Sequence, residues 1–208
     1  MNAGLDEAGR GPLIGPMFLA VCSCGRPEDL LEIGVADSKT FGSGETARHR
    51  RRSICRELFN RCEVRWIQVA ASVIDEHVSG GPGLNELERR AAGCLLRQVS
   101  RPPERIVADG RTLFSPLSRV FPQLTAVDKA DRDYPEVAAA SIVAKTFRDE
   151  WMQSYERFVQ ARGFRLLGGG YPNTPTLAFI EAWVERFGEA PPHLRRSWNV
   201  RKRQLELF

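Results

Sequence analysis

Three short apolar runs in this chain end in carboxylates, and that repetition narrows the possible folds more than any other feature. "NAGLDE" closes on Asp6 and Glu7, "RIVAD" (105–109) closes on Asp109, and "LTAVD" (124–128) closes on Asp128, with Asp131 three residues further. Runs of this length bounded by turn residues read as strands. "MFLAVCSC" (17–24) and "EVRWIQVA" (63–70) add two more. Helical patterns lie between them, and strands interleaved with helices predict an α/β domain with a mixed sheet. In such sheets function gathers at strand ends.

The helical patterns are specific. Thr46 is placed to cap a helix over 47–60, with Ile54, Cys55, Leu58 and Phe59 inward. Leu84, Leu87, Ala91, Cys94 and Leu95 form a stripe over 84–99. Pro135 opens a long helix whose buried stripe runs Val137, Ala140, Ala144, Phe147, Trp151, Tyr155. Thr174 and Pro175 open another, with Leu177, Ile180, Val184 and Phe187 spaced for burial. The segment from 161 onward reads as an appendage, dividing the chain into a catalytic part (1–160) and a C-terminal helical extension with a basic tail (161–208).

Composition excludes other classes. No apolar run approaches the roughly 20 residues that span a bilayer. The start, "MNAGLDEAGR", has neither a basic nor an apolar leader region, so a cytoplasmic location is expected. Five cysteines show no metal-ligand spacing and read as small buried residues. A net charge of +4 permits a polyanionic partner. Only four of the 30 basic residues are lysine, and three of those fall in short polar motifs: "DSK", "DKAD" and "SIVAK". An ammonium is a compact point charge, unlike the guanidinium fork.

The carboxylates carry the chemistry. Gathered within a few Å they repel unless divalent cations neutralise them, and an all-oxygen donor set favours Mg²⁺ or Mn²⁺. Two such ions, roughly 3.5–4 Å apart, activate a water and stabilise a leaving oxygen at phosphorus. Neighbouring side chains on a regular strand point to opposite faces, so Asp6 and Glu7 serve one centre only if the strand ends there. The glycines that follow permit that bend. Ser141 and Lys145, four apart, share a helical face beside the buried stripe, near a helix start that favours anions. Asn85 with Glu88 fits a capping box. His49, His77 and His193 fall outside the acidic motifs and read as surface residues.

"DEAGRGPLIGP", "DSK", "ADG", "KAD" and "AAASIVAKTFRD", in this order, resemble ribonuclease HII, and the tail "GGGYPNTPTLAFIEAWVERFGEAPPHLRRSW" resembles its archaeal branch. The resemblance covers nearly the whole chain. It implies a ribonuclease H-like mixed five-stranded sheet flanked by helices. The implied activity is cleavage of RNA in RNA/DNA hybrids, with incision 5′ of ribonucleotides embedded in duplex DNA. As metal ligands it implies Asp6, Glu7, Asp109 and Asp131, the last chosen over Asp128 and Asp133 because the family's acid directly follows Lys-Ala or Lys-Gly. Gly9, Arg10 and Gly11 are then expected to read the 2′-hydroxyl, and Tyr171 to pack on the nucleotide sugar. Lys39, Asn85, Ser141 and Lys145 are expected at phosphates. The resemblance further implies a monomer, and a Gln204–Phe208 tail resembling a sliding-clamp motif within residues 203–208, with shortened spacing and a single aromatic.

Overall fold

Strands β1 (Asn2–Ala8) and β2 (Met17–Cys24) run antiparallel, with Leu5 opposite Val21 and Ala8 opposite Phe18. All eight residues of β2 are buried, as a strand covered on both faces must be. The computed structural model that gives these elements describes residues 1–35 and 44–198. After α1 (Pro27–Glu32) and α2 (Glu45–Arg61) comes β3 (Glu63–Val69), then α3 (Ala71–Ser79) and α4 (Leu84–Arg97). β4 (Arg105–Asp109) leads through the short α5 (Arg111–Phe114) and a 3-10 turn to β5 (Leu124–Val127). A second 3-10 turn, Ala130–Arg132, precedes α6 (Pro135–Gln160), and α7 (Thr174–Phe187) follows. The sheet order is β3-β2-β1-β4-β5, with β1, β4 and β5 mutually parallel. This is the mixed five-stranded α/β sheet expected.

The chain forms two compact units whose segments interleave along the sequence. The first comprises Met1–Ala8, Phe18–Gln68 and Asn85–Phe147. Its tightest feature is Gly4, where a Cβ would collide with the backbone of Glu136 and Val137. A side chain at residue 4 would lever the first turn of α6 off β1, so glycine is required there for close approach. Val107, Ala130 and Val137 seal this contact as a buried cluster. Glu136, buried at the same turn, accepts a 2.8 Å hydrogen bond from Arg105. Trp66 of β3 stacks on Phe147 at 4.1 Å between ring centroids.

The second unit comprises Gly9–Met17, Val69–Leu84 and Arg148–Phe208, described as far as Trp198. Its core joins Leu13 and Ile14 to Met152, Tyr155, Phe179, Ile180 and Trp183. Asn173 caps α7 by accepting from the Thr176 N–H at 3.1 Å.

Several local expectations need correction. α2 begins at Glu45 after Gly44, so Thr46 lies inside the helix and caps nothing. Ile54, Cys55 and Leu58 are buried, but Phe59 is 46% exposed because it lies at the edge of the buried stripe. On α7 the buried face is Phe179, Ile180 and Trp183, while Phe187 is 44% exposed. α4 starts at Leu84, so Asn85 sits one residue inside the first turn and is not its cap. Ser141 is buried within the α6 stripe, whereas Lys145 is exposed. Of the cysteines, Cys22 and Cys55 are buried as expected and Cys94 is exposed. Cys24 and Cys62 form a disulfide, with Cα atoms 4.8 Å apart. The two belong to β2's last residue and the residue before β3, brought together by adjacent strands.

Candidate active site

In the first unit the acids are positioned by strand register. β1 and β4 pair in parallel from Asn2 with Arg105 to Leu5 with Ala108. Asp6 and Asp109 are therefore the next residues on two adjacent strands, whose spacing is about 4.8 Å. Asp6 is 6% exposed. Burial holds its carboxyl well above the ordinary carboxylate range, the charge of Glu7 raises it further, and Asp109 adds to the same effect. Ser141 opposes this from α6, although its hydroxyl completes no well-formed hydrogen bond. The Glu7 N–H donates to Asp6 Oδ1 at 2.8 Å, which also favours the charged form.

β1 does not end at Asp6–Glu7. Its pairing with β2 continues through Glu7 with Leu19 to Ala8 with Phe18, because β2 offers an unbroken partner. The expected bend is thus absent. Among the described residues no three His, Cys, Asp or Glu side chains form a ready-made metal group. The structure places Asp6, Glu7 and Asp109 in one electrostatic neighbourhood without closing a cage around a point.

Asp128 and Asp131 stand on different local structures. Asp128 Oδ1 accepts from the Arg111 N–H at 2.7 Å and so serves the exposed first turn of α5. Asp131 lies in the 3-10 turn after Lys129, whose φ of 59° is left-handed. Asp109 Oδ1 accepts from the Ala130 N–H at 3.2 Å, tying the end of β4 to the turn that carries Asp131. Lys145 and Asn85 are exposed residues of this unit. Lys39 and the tail at 203–208 lie outside the described residues.

In the second unit the Gly9–Gly11 loop is held by long-range bonds. Gly9 has φ of +86°, and a Cβ there would stand 2.9 Å from the Pro16 carbonyl oxygen. Buried Arg195 donates to three carbonyls of residues 9–15: Gly9 at 2.6 Å, Arg10 at 2.8 Å and Gly15 at 2.8 Å. Tyr171 is 42% exposed, and the Arg148 guanidinium lies 4.8 Å from its ring centroid. The same Arg148 donates to the Gly169 carbonyl at 2.8 Å. Arg195 and Arg148 were not anticipated from sequence: an arginine reads as a surface residue unless its acceptors are known.

His193, expected at the surface, is exposed overall, yet its ring meets Trp151 edge-on at 5.2 Å. Burial lowers its pKa.

Residues 3–201 match the profile of a protein family described as Ribonuclease HII. The chain belongs to the ribonuclease HII family. Ribonuclease HII of Thermofilum pendens is 34% identical, with 97% of each chain covered. Among solved structures, ribonuclease H2 of Pyrococcus horikoshii superposes with a TM-score of 0.84 at 29% identity, covering 99% of this chain and 96% of that one. Ribonuclease HII from Archaeoglobus fulgidus, solved as a complex with PCNA, gives 0.81 at 29% identity, covering 98% and 96%. This ribonuclease HII chain is accordingly a type 2 ribonuclease H, a nuclease acting on RNA/DNA hybrids. No described helix is long and apolar enough to cross a membrane.

Proposed function

We propose that the chain is a metal-dependent endoribonuclease that cuts the RNA strand of hybrids and incises 5′ of ribonucleotides embedded in duplex DNA. One observation carries the reading: strand register sets Asp6 beside Asp109 on paired strands, where burial and then the charges of Glu7 and Asp109 disfavour the Asp6 anion. A hard divalent cation relieves that cost, and carboxylate oxygens are its preferred donors. The residues that would hold it are Asp6, Glu7, Asp109 and Asp131. Mg²⁺ or Mn²⁺, two ions per reaction, supplies water activation and charge stabilisation at the scissile phosphate.

The protein's own groups do the remainder. Asp109, through the Ala130 N–H, fixes the turn bearing Asp131. Exposed Lys145 of α6, with Asn85 and Lys39, attracts phosphates and holds the strand in line, and buried Ser141, one turn earlier, faces Asp6. Gly9, Arg10 and Gly11 present backbone to the ribose and read its 2′-hydroxyl, the group that separates RNA from DNA. Tyr171 packs against the neighbouring sugar. Products are a 3′-hydroxyl and a 5′-phosphate. The protein acts in the cytoplasm as a monomer in replication and repair, and residues 203–208 dock on a sliding clamp. The Archaeoglobus complex supports that last point.

Duplex DNA holding one ribonucleotide, incubated with Mg²⁺ or Mn²⁺, tests the activity by mapping the cut. A single cut 5′ of the ribonucleotide is expected. Cutting of an all-DNA control, or binding of hybrid with no cleavage, would defeat the reading. For the clamp, removal of residues 203–208 should abolish pull-down, and equal capture would rule out the tail.

A further inference from the structure

Arg195 is the largest fully buried side chain among the described residues, 1% exposed. An arginine cannot shed its proton, so burying it is costly unless its N–H groups are met by acceptors. Here Nε donates to Gly15 O, Nη1 to Arg10 O and Nη2 to Gly9 O. The planar fork thus spans both ends of one loop, which a lysine ammonium cannot do. Its backbone N–H donates to Leu13 O at 2.7 Å, and the Gly15 N–H donates to His193 O at 2.9 Å. Leu194 bridges Ile14. On the other side, Asp75 of α3 accepts from the Arg196 and Ser197 N–H groups, both at 2.9 Å, and from the Ser197 hydroxyl at 2.6 Å. Trp198 supports the guanidinium, 5.1 Å from its ring centroid. A chain of contacts therefore runs from α3 through residues 194–198 to the carbonyls of Gly9 and Arg10.

We propose that Arg195 is a positioning residue that sets the backbone shape of the Gly9–Gly11 loop, and hence the discrimination of ribose from deoxyribose. The proposal rests on the reading of that loop as the 2′-hydroxyl contact. With the carbonyls of residues 9 and 10 drawn to Arg195, the peptide planes between Gly9 and Gly11 are fixed, and so is the direction of their N–H groups. Fixing donors before substrate arrives removes an ordering cost from the reactive complex.

The test is single-ribonucleotide incision by wild type, Arg195→Ala and Arg195→Lys, resolved into kcat and KM. A misplacement of about 1 Å at such a contact costs about 100-fold. Arg195→Ala is expected to lose that much in kcat with KM little changed, and Arg195→Lys to recover about tenfold of it. Ile180→Val, in the core of the same unit, serves as a destabilised control and should keep wild-type kcat below its melting temperature. Folded Arg195→Ala with wild-type kcat, or an equal fall in the control, overturns the proposal. Should neither Arg195 variant fold, hydrogen exchange on the wild type decides: the Arg195 and Gly15 amides, which donate to Leu13 and His193 across the clamp, should open only with global unfolding, and fast local exchange overturns the clamp. Wild type that fails to cut sinks the functional reading, and the exchange measurement still judges the clamp.

Discussion

Asp6 and Asp109 are set by the register of two paired strands, whereas the Gly9–Gly11 loop is set by a side chain 185 residues beyond Arg10. The two compact units thus hold their polar groups by different means. In the first, a regular ladder brings Asp6 and Asp109 onto neighbouring strands, and Gly4 admits α6. In the second, irregular backbone has no ladder of its own, so its carbonyls need a buried partner from elsewhere in the chain. Ladder-held groups should resist distant substitutions and fail through their own chemistry. Loop-held groups should fail through residues that never touch substrate.

The largest expected effect breaks the first arrangement chemically. Asp109→Asn should lower hybrid cleavage about 1,000-fold or more, since charge stabilisation by bound metal is worth several kcal/mol. Binding of hybrid should persist, as read by gel shift beside single-turnover cleavage. Near-normal cleavage would remove Asp109 from the site.

Gly4→Ala attacks the same unit mechanically. Its Cβ meets the backbone of Glu136 and Val137, so stability should fall by about 1–3 kcal/mol, the usual cost of overpacking, in urea unfolding. An unchanged midpoint would show that α6 moves freely on β1.

In the second unit Tyr171→Ala separates activity from stability. The ring is 42% exposed, so folding should barely change while incision falls about tenfold, the worth of one stacking contact. Equal incision would exclude Tyr171 from substrate contact.

Asp75→Asn is the mildest. The amide keeps one acceptor for the N–H groups of residues 196 and 197 but loses charge-assisted strength, about 1 kcal/mol in thermal unfolding. If long-range bonds hold the loop, incision should fall slightly as well. Unaltered stability would show that this end of the clamp is dispensable.

Legibility in the sequence followed the same division. "RIVAD" was assignable to the residue because an apolar run between prolines and a glycine has few alternatives to a strand. Pro135 marked the start of α6 for similar reasons. Phe59 was misplaced because a stripe's edges depend on what packs beside it, which periodicity does not contain. Cys24 and Cys62, 38 residues apart, pair only because β2 and β3 are neighbours. Asp6 and Glu7 were expected to end a strand, yet β2 carries β1 through to Ala8.

From sequence alone came the element types, Asp109 at the end of β4 and, by resemblance, the family, because these depend on local patterns and motif order. Tertiary structure alone assigned Asp128 to a helix start, set Gly4 against α6, and turned Arg195 from a tail arginine into the clamp of a glycine loop. Hydrogen bonds and close approaches between distant segments are decided by where the folded backbone lies, and a linear string does not hold that information.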